Sequence, residues 1–451
     1  MPALSEDPSR KMHVLVLTFP AFGHITPMLE LSRKIAKYHH VTFAISQACY
    51  KDLLEKDMYS EADKKNIQLH IVEDDIDMKQ ADATEIHRSF AYIWDKTLTA
   101  VRQLLSSVPT PVGLPTSRDP VDVVVADIFV AEALHVCIER SIPYYLFVPG
   151  NTDFIKYCLL LKEDTPTTET MGTFMDPIGP DGQIQTVGTV FKSSFFPIRT
   201  AFPDCKGIVA NSARELERKT IAECEKDPLL AGKPFYCVGP LLPEEKSISD
   251  KVASCSALEK WLDGKENVVF ISFGSVASPI PPQVKEIGSS LIGMNQPFIW
   301  SLRKTHHGFL PEELKSAVEN FDGKGVILPW VDQKLVLGHP SVEVFVSHCG
   351  WNSTLEGLSG GKPIVCWPMF GDQLVNAEFI TSRGAGTIIT DGGIGGKVVP
   401  AAKIADTIKA TKEKSGETAR MWGKEIRMAL QPGGTTVEEF LDFISFSHEK
   451  S

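Results

Sequence analysis

Side chains capable of chemistry are concentrated between residues 330 and 373. An apolar run at residues 342–347 predicts a strand, and the polar turn at 348–353 follows where a helix should begin. The unpaired N–H groups and the positive dipole end of a helix start favour anions such as phosphate. The turn also contains side-chain donors and a glycine that lets an anion approach the backbone: His348, Gly350, Asn352 and Ser353. The turn is therefore a candidate diphosphate site.

Four further side chains in this stretch match the other parts of a nucleotide linked to a sugar. Trp330 follows a predicted strand and offers a flat base a stacking face worth roughly 1 to 3 kcal/mol. Glu356, one turn into the predicted helix, can accept hydrogen bonds from two vicinal hydroxyls of a ribose. Asp372 and Gln373 follow another strand and provide acceptors and donors suited to sugar hydroxyls.

A second candidate site combines His24 with Asp127. Each follows a short apolar run, at residues 14–18 and 121–126, and ligands of parallel α/β sheets bind beyond the carboxyl ends of the strands. A carboxylate beside an imidazole can fix its tautomer and stabilise the imidazolium form. The alternatives are a purely structural histidine and an aspartate that caps the helix after residue 127.

The strands and helices expected to position these residues alternate along the whole chain, which predicts α/β halves with parallel sheets. Thr26 and Pro27 predict the cap and first position of the first helix. The expected organisation is an N-terminal domain over residues 1–240, a linker over 241–256, a C-terminal domain over 257–430 and a C-terminal helix over 431–451. We expect the ligands to lie in a cleft between the two domains.

Composition excludes several classes of function. The 451 residues include 46 basic and 57 acidic residues, and this net charge of −11 disfavours nucleic acids and anionic membrane surfaces as partners. The nine scattered cysteines form no C-x-x-C pair, so we expect no metal site and a reducing, cytoplasmic location. No G-x-G-x-x-G or P-loop sequence is present, which disfavours a nicotinamide oxidoreductase and predicts no bound cofactor.

All 44 positions from 330 to 373 resemble the signature of plant secondary-product UDP-glycosyltransferases, in glycosyltransferase family 1. The segments FGHITPML at 22–29, GIVANSARELE at 207–217 and FGS at 273–275 are similar to further family landmarks. The resemblance implies the GT-B fold, an α/β architecture of two Rossmann-like, doubly wound parallel-sheet domains. It implies that His24 is the catalytic base and Asp127 its partner. It also adds three residues to the donor site: Ser275, expected to help hold the nucleotide, Gln333 beside the uracil and ribose, and Trp351 beside the sugar.

The resemblance also implies the reaction. A monomeric enzyme would move a sugar, most often glucose in this family, from a UDP-sugar to a hydroxyl of a small hydrophobic acceptor. Flavonoids or other phenolics are expected, with terpenoids, hormones, xenobiotics and a non-catalytic nucleotide-sugar binder as alternatives. Where many relatives carry Thr or Ser after the strand at 144–148, this chain has Pro149, which leaves Asn151 or Thr152 to supply a polar group. Four aromatic residues are candidates for the acceptor pocket: Phe22, Phe90, Tyr92 and Phe195.

Overall fold

Two parallel β-sheets organise the chain. The computed structural model describes residues 11–77, 86–109, 120–168, 187–243, 249–274, 278–369, 371–389 and 397–446. Contacts divide the protein into unit 1, which comprises residues 1–172, 176–243 and 435–451, and unit 2, which comprises 173–175 and 244–434. The C-terminal segment therefore belongs with the N-terminal part of the chain, and a helix, Ser249–Asp263, begins within the expected linker.

Unit 1 is built on a seven-stranded parallel sheet with the order β3-β2-β1-β4-β5-β8-β9. Its strands are β1 His13–Leu17, β2 His40–Ser46, β3 Ile67–Val72, β4 Val123–Asp127, β5 Tyr144–Val148, β8 Ile208–Ala210 and β9 Phe235–Cys237, and β6 Thr167–Thr168 pairs with β7 Val187–Gly188 outside the sheet. Its helices are α1 Phe22–Ile35, α2 Gln47–Glu55, α3 Glu61–Asn66, α4 Ile86–Ser107, α5 His135–Glu139, α6 Asp153–Leu160, α7 Thr189–Phe195 and α8 Arg214–Cys224, with 3₁₀ helices at Ile128–Leu134 and Phe196–Ala201.

Unit 2 contains a six-stranded parallel sheet with the order β12-β11-β10-β13-β14-β15. Its strands are β10 Val268–Ser272, β11 Phe298–Ser301, β12 Gly325–Leu328, β13 Val342–Ser347, β14 Ile364–Cys366 and β15 Gly386–Ile388. Its helices are α9 Ser249–Asp263, α10 Pro281–Met294, α11 Gln333–Gly338, α12 Trp351–Ser359, α13 Gln373–Ser382 and α14 Ala401–Ala429, with 3₁₀ helices at Lys304–Phe309 and Glu312–Ala317. The expectation of two α/β halves with parallel sheets is confirmed.

Burial on both faces explains the composition of the central strands. All five residues of β4 are buried, as are all five of β5 and all five of β10. A parallel sheet covered by helices on both sides needs near-continuous apolar strands rather than alternating ones. The polar residues at the ends of these strands, including Asp127, are therefore the ones available for binding and catalysis.

The strand order fixes where each sheet can bind a ligand. In unit 1 the chain runs outward from β1 through β2 to β3 and then returns to β4 on the other side of β1. In unit 2 it runs outward from β10 through β11 to β12 and returns to β13 beside β10. The loops beyond such adjacent strands diverge, which opens a crevice at the topological switch point. The residues after β1, β4, β10 and β13 therefore flank the two switch points.

The first helix begins earlier in the sequence than the cap at Thr26 predicts. The carbonyl oxygen of Ala21 accepts hydrogen bonds from the N–H groups of His24 and Ile25, both at 2.9 Å, and Pro27 lies inside the helix. The prediction of a helix that starts at Pro27 is therefore wrong. Proline has no N–H to donate, but its fixed φ is compatible with a helix, so the early turns accommodate it.

The C-terminal helix α15, Thr435–Ser445, packs on β9, the edge strand of the unit 1 sheet. Glu439 accepts a hydrogen bond from the backbone N–H of Cys237 at 2.6 Å and forms an ion pair with Arg214. Phe440, Phe443 and Ile444 enter the buried core of unit 1. The helix therefore covers a strand edge whose backbone groups would otherwise be open to other chains.

Among the residues that the structure describes, no helix combines the length and the apolar character needed to cross a membrane.

Candidate functional site

The switch point of unit 1 brings His24 and Asp127 into contact. His24 lies in the first turn of α1 and Asp127 is the last residue of β4. The imidazole Nδ1 and the carboxylate Oδ2 are 2.7 Å apart, and the exposed fractions of the two side chains are 17% and 0%. The buried carboxylate accepts the Nδ1–H hydrogen bond, so Nε2 is the nitrogen that carries the basic lone pair.

The second oxygen of Asp127 holds the carboxylate in place. Oδ1 accepts a hydrogen bond from the backbone N–H of Phe129 at 2.8 Å and caps the 3₁₀ helix Ile128–Leu134. The two interpretations of Asp127 drawn from the sequence, a histidine partner and a helix cap, are therefore compatible, because each uses a different oxygen. This double engagement leaves the carboxylate little freedom to turn away from His24.

Aromatic rings surround the His24 imidazole on its apolar side. The ring centroids of Phe19 and Phe129 lie 5.4 and 4.6 Å from the imidazole centroid. These two rings belong to a larger aromatic cluster formed by Phe19, Phe90, Trp94, Phe129, Phe154, Phe191 and Phe195. The cluster gives His24 an apolar wall.

The four residues expected in the acceptor pocket lie in different surroundings. Phe90 belongs to the aromatic cluster and is partly exposed, whereas Phe195 is fully buried beneath the other rings. The Phe22 ring lies 3.5 Å from the Lys56 ammonium group. The Tyr92 hydroxyl is hydrogen-bonded to the backbone of residues 75–77. The structure thus brings Phe90 and Phe195 together near His24 and gives Phe22 and Tyr92 other neighbours.

The turn after β5 is anchored by a buried carboxyl group. The backbone N–H and the hydroxyl of Thr152 both donate to Oε2 of Glu217 on α8. Burial raises the pKa of Glu217 to about 7, and hydrogen bonds from Ser212 and Thr152 oppose the shift. Thr152 is itself fully buried, and its hydroxyl donates to Glu217. This hydroxyl is therefore not placed to substitute for the Thr or Ser hydroxyl that many relatives have at the position of Pro149.

The turn between β13 and α12 has the geometry expected of an anion site. Cys349 adopts a left-handed backbone conformation with φ of 65°, and its N–H donates to the hydroxyl of Ser347 at 3.0 Å. Gly350 is the N-cap of α12, which leaves the N–H groups of the first helical turn pointing out of the helix end. Asn352 and Ser353 are the second and third residues of that turn.

Two glycines make room for the imidazole of His348 at this turn. A Cβ atom at Gly350 would lie 2.6 Å from Nε2 of His348, and one at Gly274 would lie 2.7 Å from the same atom. Burial lowers the pKa of His348 to about 4, so the ring is neutral near pH 7 and carries one N–H. Its Nδ1 has no hydrogen-bond partner among the described residues. A neutral imidazole with this unsatisfied atom suits a site that receives a polar ligand.

Gln333, Ser353 and Glu356 form a hydrogen-bonded group beside that turn. The side-chain amide of Gln333 donates to the hydroxyl of Ser353 at 2.8 Å and to Oε2 of Glu356. Burial raises the pKa of Glu356 to about 7, although the hydrogen bond from Gln333 opposes the shift. Asp332 caps the helix that Gln333 begins, which fixes the direction of the amide. The group presents a carboxyl that can accept further hydrogen bonds from hydroxyls.

Trp330 stands out because it is 55% exposed, an unusual value for the largest apolar side chain. It follows β12 by two residues and precedes α11. An exposed indole at a strand end offers a flat face on which a base can stack.

Asp372 and Gln373 stand at the start of α13 and are tied to their neighbours. Oε1 of Gln373 accepts a hydrogen bond from the backbone N–H of Met369 at 2.9 Å. Asn376, one turn further along α13, donates from Nδ2 to Oδ2 of Asp372 and to the carbonyl oxygen of Cys349, both at 2.9 Å. A single buried amide thus joins the start of α13 to the turn before α12.

Two expected donor residues contribute less to this geometry. The indole of Trp351 is buried and packs edge-on against Phe379, with ring centroids 5.2 Å apart, so the side chain serves the α12–α13 interface. Ser275 lies outside the described residues. The other donor candidates follow β12, β13 and β14, at the carboxyl ends of three strands of the same parallel sheet.

The side chains around the turn before α12 are poorly suited to thiol or metal chemistry. Cys349 and Cys366 are buried free thiols within the stretch 330–373. Burial raises the pKa of the Cys366 thiol above its ordinary range, which disfavours a thiolate nucleophile. Within the described ranges, no group of three or more histidine, cysteine or acidic side chains is close enough to hold a metal ion.

Comparison with known proteins places this arrangement in a family. Residues 249–398 match the model of the family described as UDP-glucoronosyl and UDP-glucosyl transferase. The chain is 28% identical over 481 residues to UDP-glycosyltransferase 84A1 of Arabidopsis thaliana, covering 96% of this chain and 94% of the relative. It is also 28% identical over 480 residues to UDP-glycosyltransferase 71K1 of Malus domestica, covering 96% and 98%. Nearly the whole chain is therefore similar to plant UDP-glycosyltransferases.

Solved structures show the same fold as this glycosyltransferase. The UGT71G1 protein of Medicago truncatula, complexed with UDP-glucose, has a TM-score of 0.75 at 24% identity and covers 97% of this chain and 98% of its own. A UDP-glucosyltransferase of Polygonum tinctorium has a TM-score of 0.78 at 22% identity, with coverage of 98% and 100%. The predicted GT-B architecture is confirmed, and the full-length similarity to plant relatives supports a UDP-glycosyltransferase.

Two residues in the glycosyltransferase site lie outside the sequence-based prediction. Asn376 lies three residues beyond the recognised stretch, and its only sequence signal is the helical spacing of four from Asp372. Glu217 falls in the landmark segment at 207–217, but nothing in its sequence neighbourhood indicates that it anchors Thr152 on a different strand end.

Proposed function

We propose that this glycosyltransferase transfers glucose from UDP-glucose to a hydroxyl of a small hydrophobic acceptor, such as a flavonoid or another phenolic, with inversion to a β-glycoside. The observation that carries the proposal is the 2.7 Å hydrogen bond between His24 Nδ1 and Asp127 Oδ2 beside an apolar wall of rings. A base in such surroundings suits an uncharged hydroxyl on a flat, apolar molecule.

In the proposed reaction His24 acts as the general base. Nε2 takes the proton of the acceptor hydroxyl as that oxygen forms a bond to the anomeric carbon, while the bond from this carbon to the diphosphate oxygen breaks. UDP leaves with the bonding electrons from the opposite face of the sugar. The Asp127 carboxylate stabilises the imidazolium that forms, and a base of this kind contributes about 10²- to 10⁴-fold to the rate.

Unit 2 supplies the donor site in this proposal. The uracil stacks on Trp330, the ribose hydroxyls donate to Glu356, and the diphosphate lies at the start of α12 beside His348, Asn352 and Ser353. The hexose is bound by Asp372 and Gln373. The complex of the Medicago truncatula relative with UDP-glucose supports glucose as the sugar.

We propose that the leaving group needs no metal ion, because the N–H groups at the start of α12 are donors where negative charge develops. Addition of EDTA should therefore leave the rate of transfer unchanged. A loss of activity that Mg²⁺ or Mn²⁺ restores would contradict this part of the proposal.

The acceptor class is proposed from the aromatic cluster and one relative. The Polygonum tinctorium structure is described as a glucosyltransferase capable of glucosylating indoxyl, in complex with 3,4-dichloroaniline. Both compounds are small aromatic molecules. A panel of UDP-glucose, UDP-galactose and UDP-glucuronic acid against phenolic, terpenoid and aliphatic alcohols, analysed by product mass, tests both substrates. Products only with non-aromatic alcohols would contradict the phenolic assignment.

The catalytic assignment is tested with His24→Ala and Asp127→Asn. We expect His24→Ala to lower kcat by about 10²- to 10⁴-fold with UDP affinity unchanged, because the base lies in unit 1 and the nucleotide site in unit 2. Asp127→Asn should also lower kcat, since an amide cannot stabilise the imidazolium as a carboxylate does. His135→Ala, at an exposed histidine of unit 1, is the matched control and should retain full activity.

The outcome distinguishes catalysis from binding. A His24→Ala protein that transfers glucose at the wild-type rate would overturn the base assignment. Calorimetric binding of UDP by the wild-type protein, without product from any alcohol in the panel, would indicate a nucleotide-sugar binder instead.

A further inference from the structure

Asn376 makes two hydrogen bonds that connect separate parts of unit 2. Its side chain is fully buried in the first turns of α13. Nδ2 donates to the carbonyl oxygen of Cys349, in the turn before α12, and to Oδ2 of Asp372, at the N-cap of its own helix. Both distances are 2.9 Å, which is ordinary for a well-formed N–H···O bond.

The chemistry of these two partners determines the orientation of the amide. A backbone carbonyl and a carboxylate only accept hydrogen bonds, so the group between them must supply two donors. The NH₂ of asparagine does this, and no other side chain of the same size and shape does. Aspartate, its nearest isostere, would place a carboxylate against both acceptors.

The two partners belong to different parts of the proposed donor site. Cys349 is held in a left-handed conformation at the diphosphate turn, and its carbonyl oxygen is one of the atoms that define where that turn lies. Asp372 stands next to Gln373 in the pair proposed to bind the hexose. The diphosphate and the sugar are adjacent groups of one donor molecule, so the distance between their two binding sites must be constant.

We propose that Asn376 is a positioning residue that fixes the sugar-binding pair, Asp372 and Gln373, relative to the diphosphate turn. Asn376 touches neither group of the donor in this proposal and acts through Asp372. The proposal rests on the donor site described under Proposed function. It predicts that loss of the amide loosens the recognition of the hexose more than the binding of UDP.

The expected effect of removing the Asn376 amide depends on how precisely Asp372 and Gln373 must position the hexose. A displacement of about 1 Å at a substrate-positioning group can cost about 10²-fold in rate. Sugars that differ in the direction of one hydroxyl are distinguished by hydrogen bonds to fixed partners, and mobile partners discriminate less. Rate and sugar selectivity should therefore fall together.

The test compares Asn376→Asp and Asn376→Ala with the wild-type protein. Asn376→Asp keeps the size and removes both donors, whereas Asn376→Ala removes the donors without adding charge. Ile408→Ala, at a buried core residue of α14, is the control for lost stability, because Ile408 is not one of the proposed donor-site residues. All proteins are compared below their melting temperatures, with UDP, UDP-glucose and UDP-galactose.

We expect Asn376→Asp to lower kcat with UDP-glucose by about 10- to 100-fold, and Asn376→Ala by less. The ratio of kcat/KM for UDP-glucose over UDP-galactose should fall at least about fivefold, while the calorimetric Kd of UDP changes by less than about threefold. Ile408→Ala should show a lower Tm with an unchanged sugar ratio. If Asn376→Asp does not fold, the same changes are measured for Asn376→Ala.

An unchanged sugar ratio in a folded Asn376 variant would overturn the proposal, as would a weakening of UDP binding as large as that of UDP-glucose. Either result would make Asn376 a structural residue only. If the wild-type protein transfers no sugar, the proposed function is wrong, whatever the role of Asn376. The ratio of the calorimetric Kd values for UDP-glucose and UDP-galactose then still decides the role of Asn376.

Discussion

The buried carboxyl group of Glu217 should make the stability of unit 1 depend on pH. Burial raises its folded-state pKa from an ordinary 4.5 to about 7. Between these values the folded protein holds a proton that the unfolded chain releases, so stability is greatest below about pH 4.5 and falls as the pH rises through 7. Substitution by glutamine removes the ionisation and retains a carbonyl oxygen that accepts both hydrogen bonds from Thr152.

The size of this change in stability follows from the pKa shift of Glu217. One pKa unit corresponds to about 1.4 kcal/mol, so the free energy of unfolding of the wild-type unit should fall by about 2 to 3 kcal/mol between pH 5 and pH 8 on account of Glu217 alone. The Glu217→Gln protein lacks this contribution, whatever constant cost the new amide adds at every pH. The quantity to compare is therefore the change between the two pH values and not the stability at either one.

Hydrogen exchange of the β5 and β8 amides, corrected for the intrinsic pH dependence of exchange, measures the stability of unit 1 directly. Glu223→Gln, on the same helix but at a partly exposed carboxylate paired with Lys156, is the control and should behave as the wild type in this pH range. If wild type and Glu217→Gln lose the same stability from pH 5 to pH 8, within about 0.5 kcal/mol, the assignment of a protonated buried Glu217 is refuted.

Three further substitutions test separate parts of the structure. Trp330→Ala should weaken UDP binding by roughly 1 to 3 kcal/mol, measured by calorimetry, because it removes the stacking face; unchanged affinity would show that the base lies elsewhere. Gly350→Ala should weaken UDP binding at least about tenfold because its methyl group would collide with His348, whereas Gly338→Ala, which has open space for a methyl group, should bind as the wild type. Glu439→Gln should lower the stability of unit 1 by about 1 to 3 kcal/mol in urea unfolding, since it weakens a bridge to the edge strand; equal midpoints would contradict that role.

Strong apolar runs made most of the sheet predictable from the sequence. The runs at 144–148 and 342–347 become β5 and β13 with the predicted bounds, because polar turns limit both. The strands absent from the prediction have physical reasons to be obscure. β3 is an edge strand with partly exposed residues. β8 and β9 have three residues each, which is too few to show a periodic pattern of apolar residues.

The residues of the candidate site also fall into those that the sequence predicts and those that it does not. His348, Glu356 and the other residues of one continuous stretch could be identified because strand, turn and helix follow each other in sequence. Asn376 and Glu217 could not, because their partners, Cys349 and Thr152, lie 27 and 65 positions away. Hydrogen bonds between separate strand ends depend on the sheet order, and a single sequence does not contain that information explicitly.

The position of α15 has a consequence for how the chain is made. Unit 1 is complete only when residues 435–451 are present, yet these leave the ribosome after the whole of unit 2. At about 5 to 20 residues per second, synthesis of residues 244–434 takes roughly 10 to 40 seconds, during which β9 is a bare edge on a nascent protein. A stop codon at residue 435 would therefore release a chain with all of unit 2 but with a unit 1 that lacks its C-terminal helix.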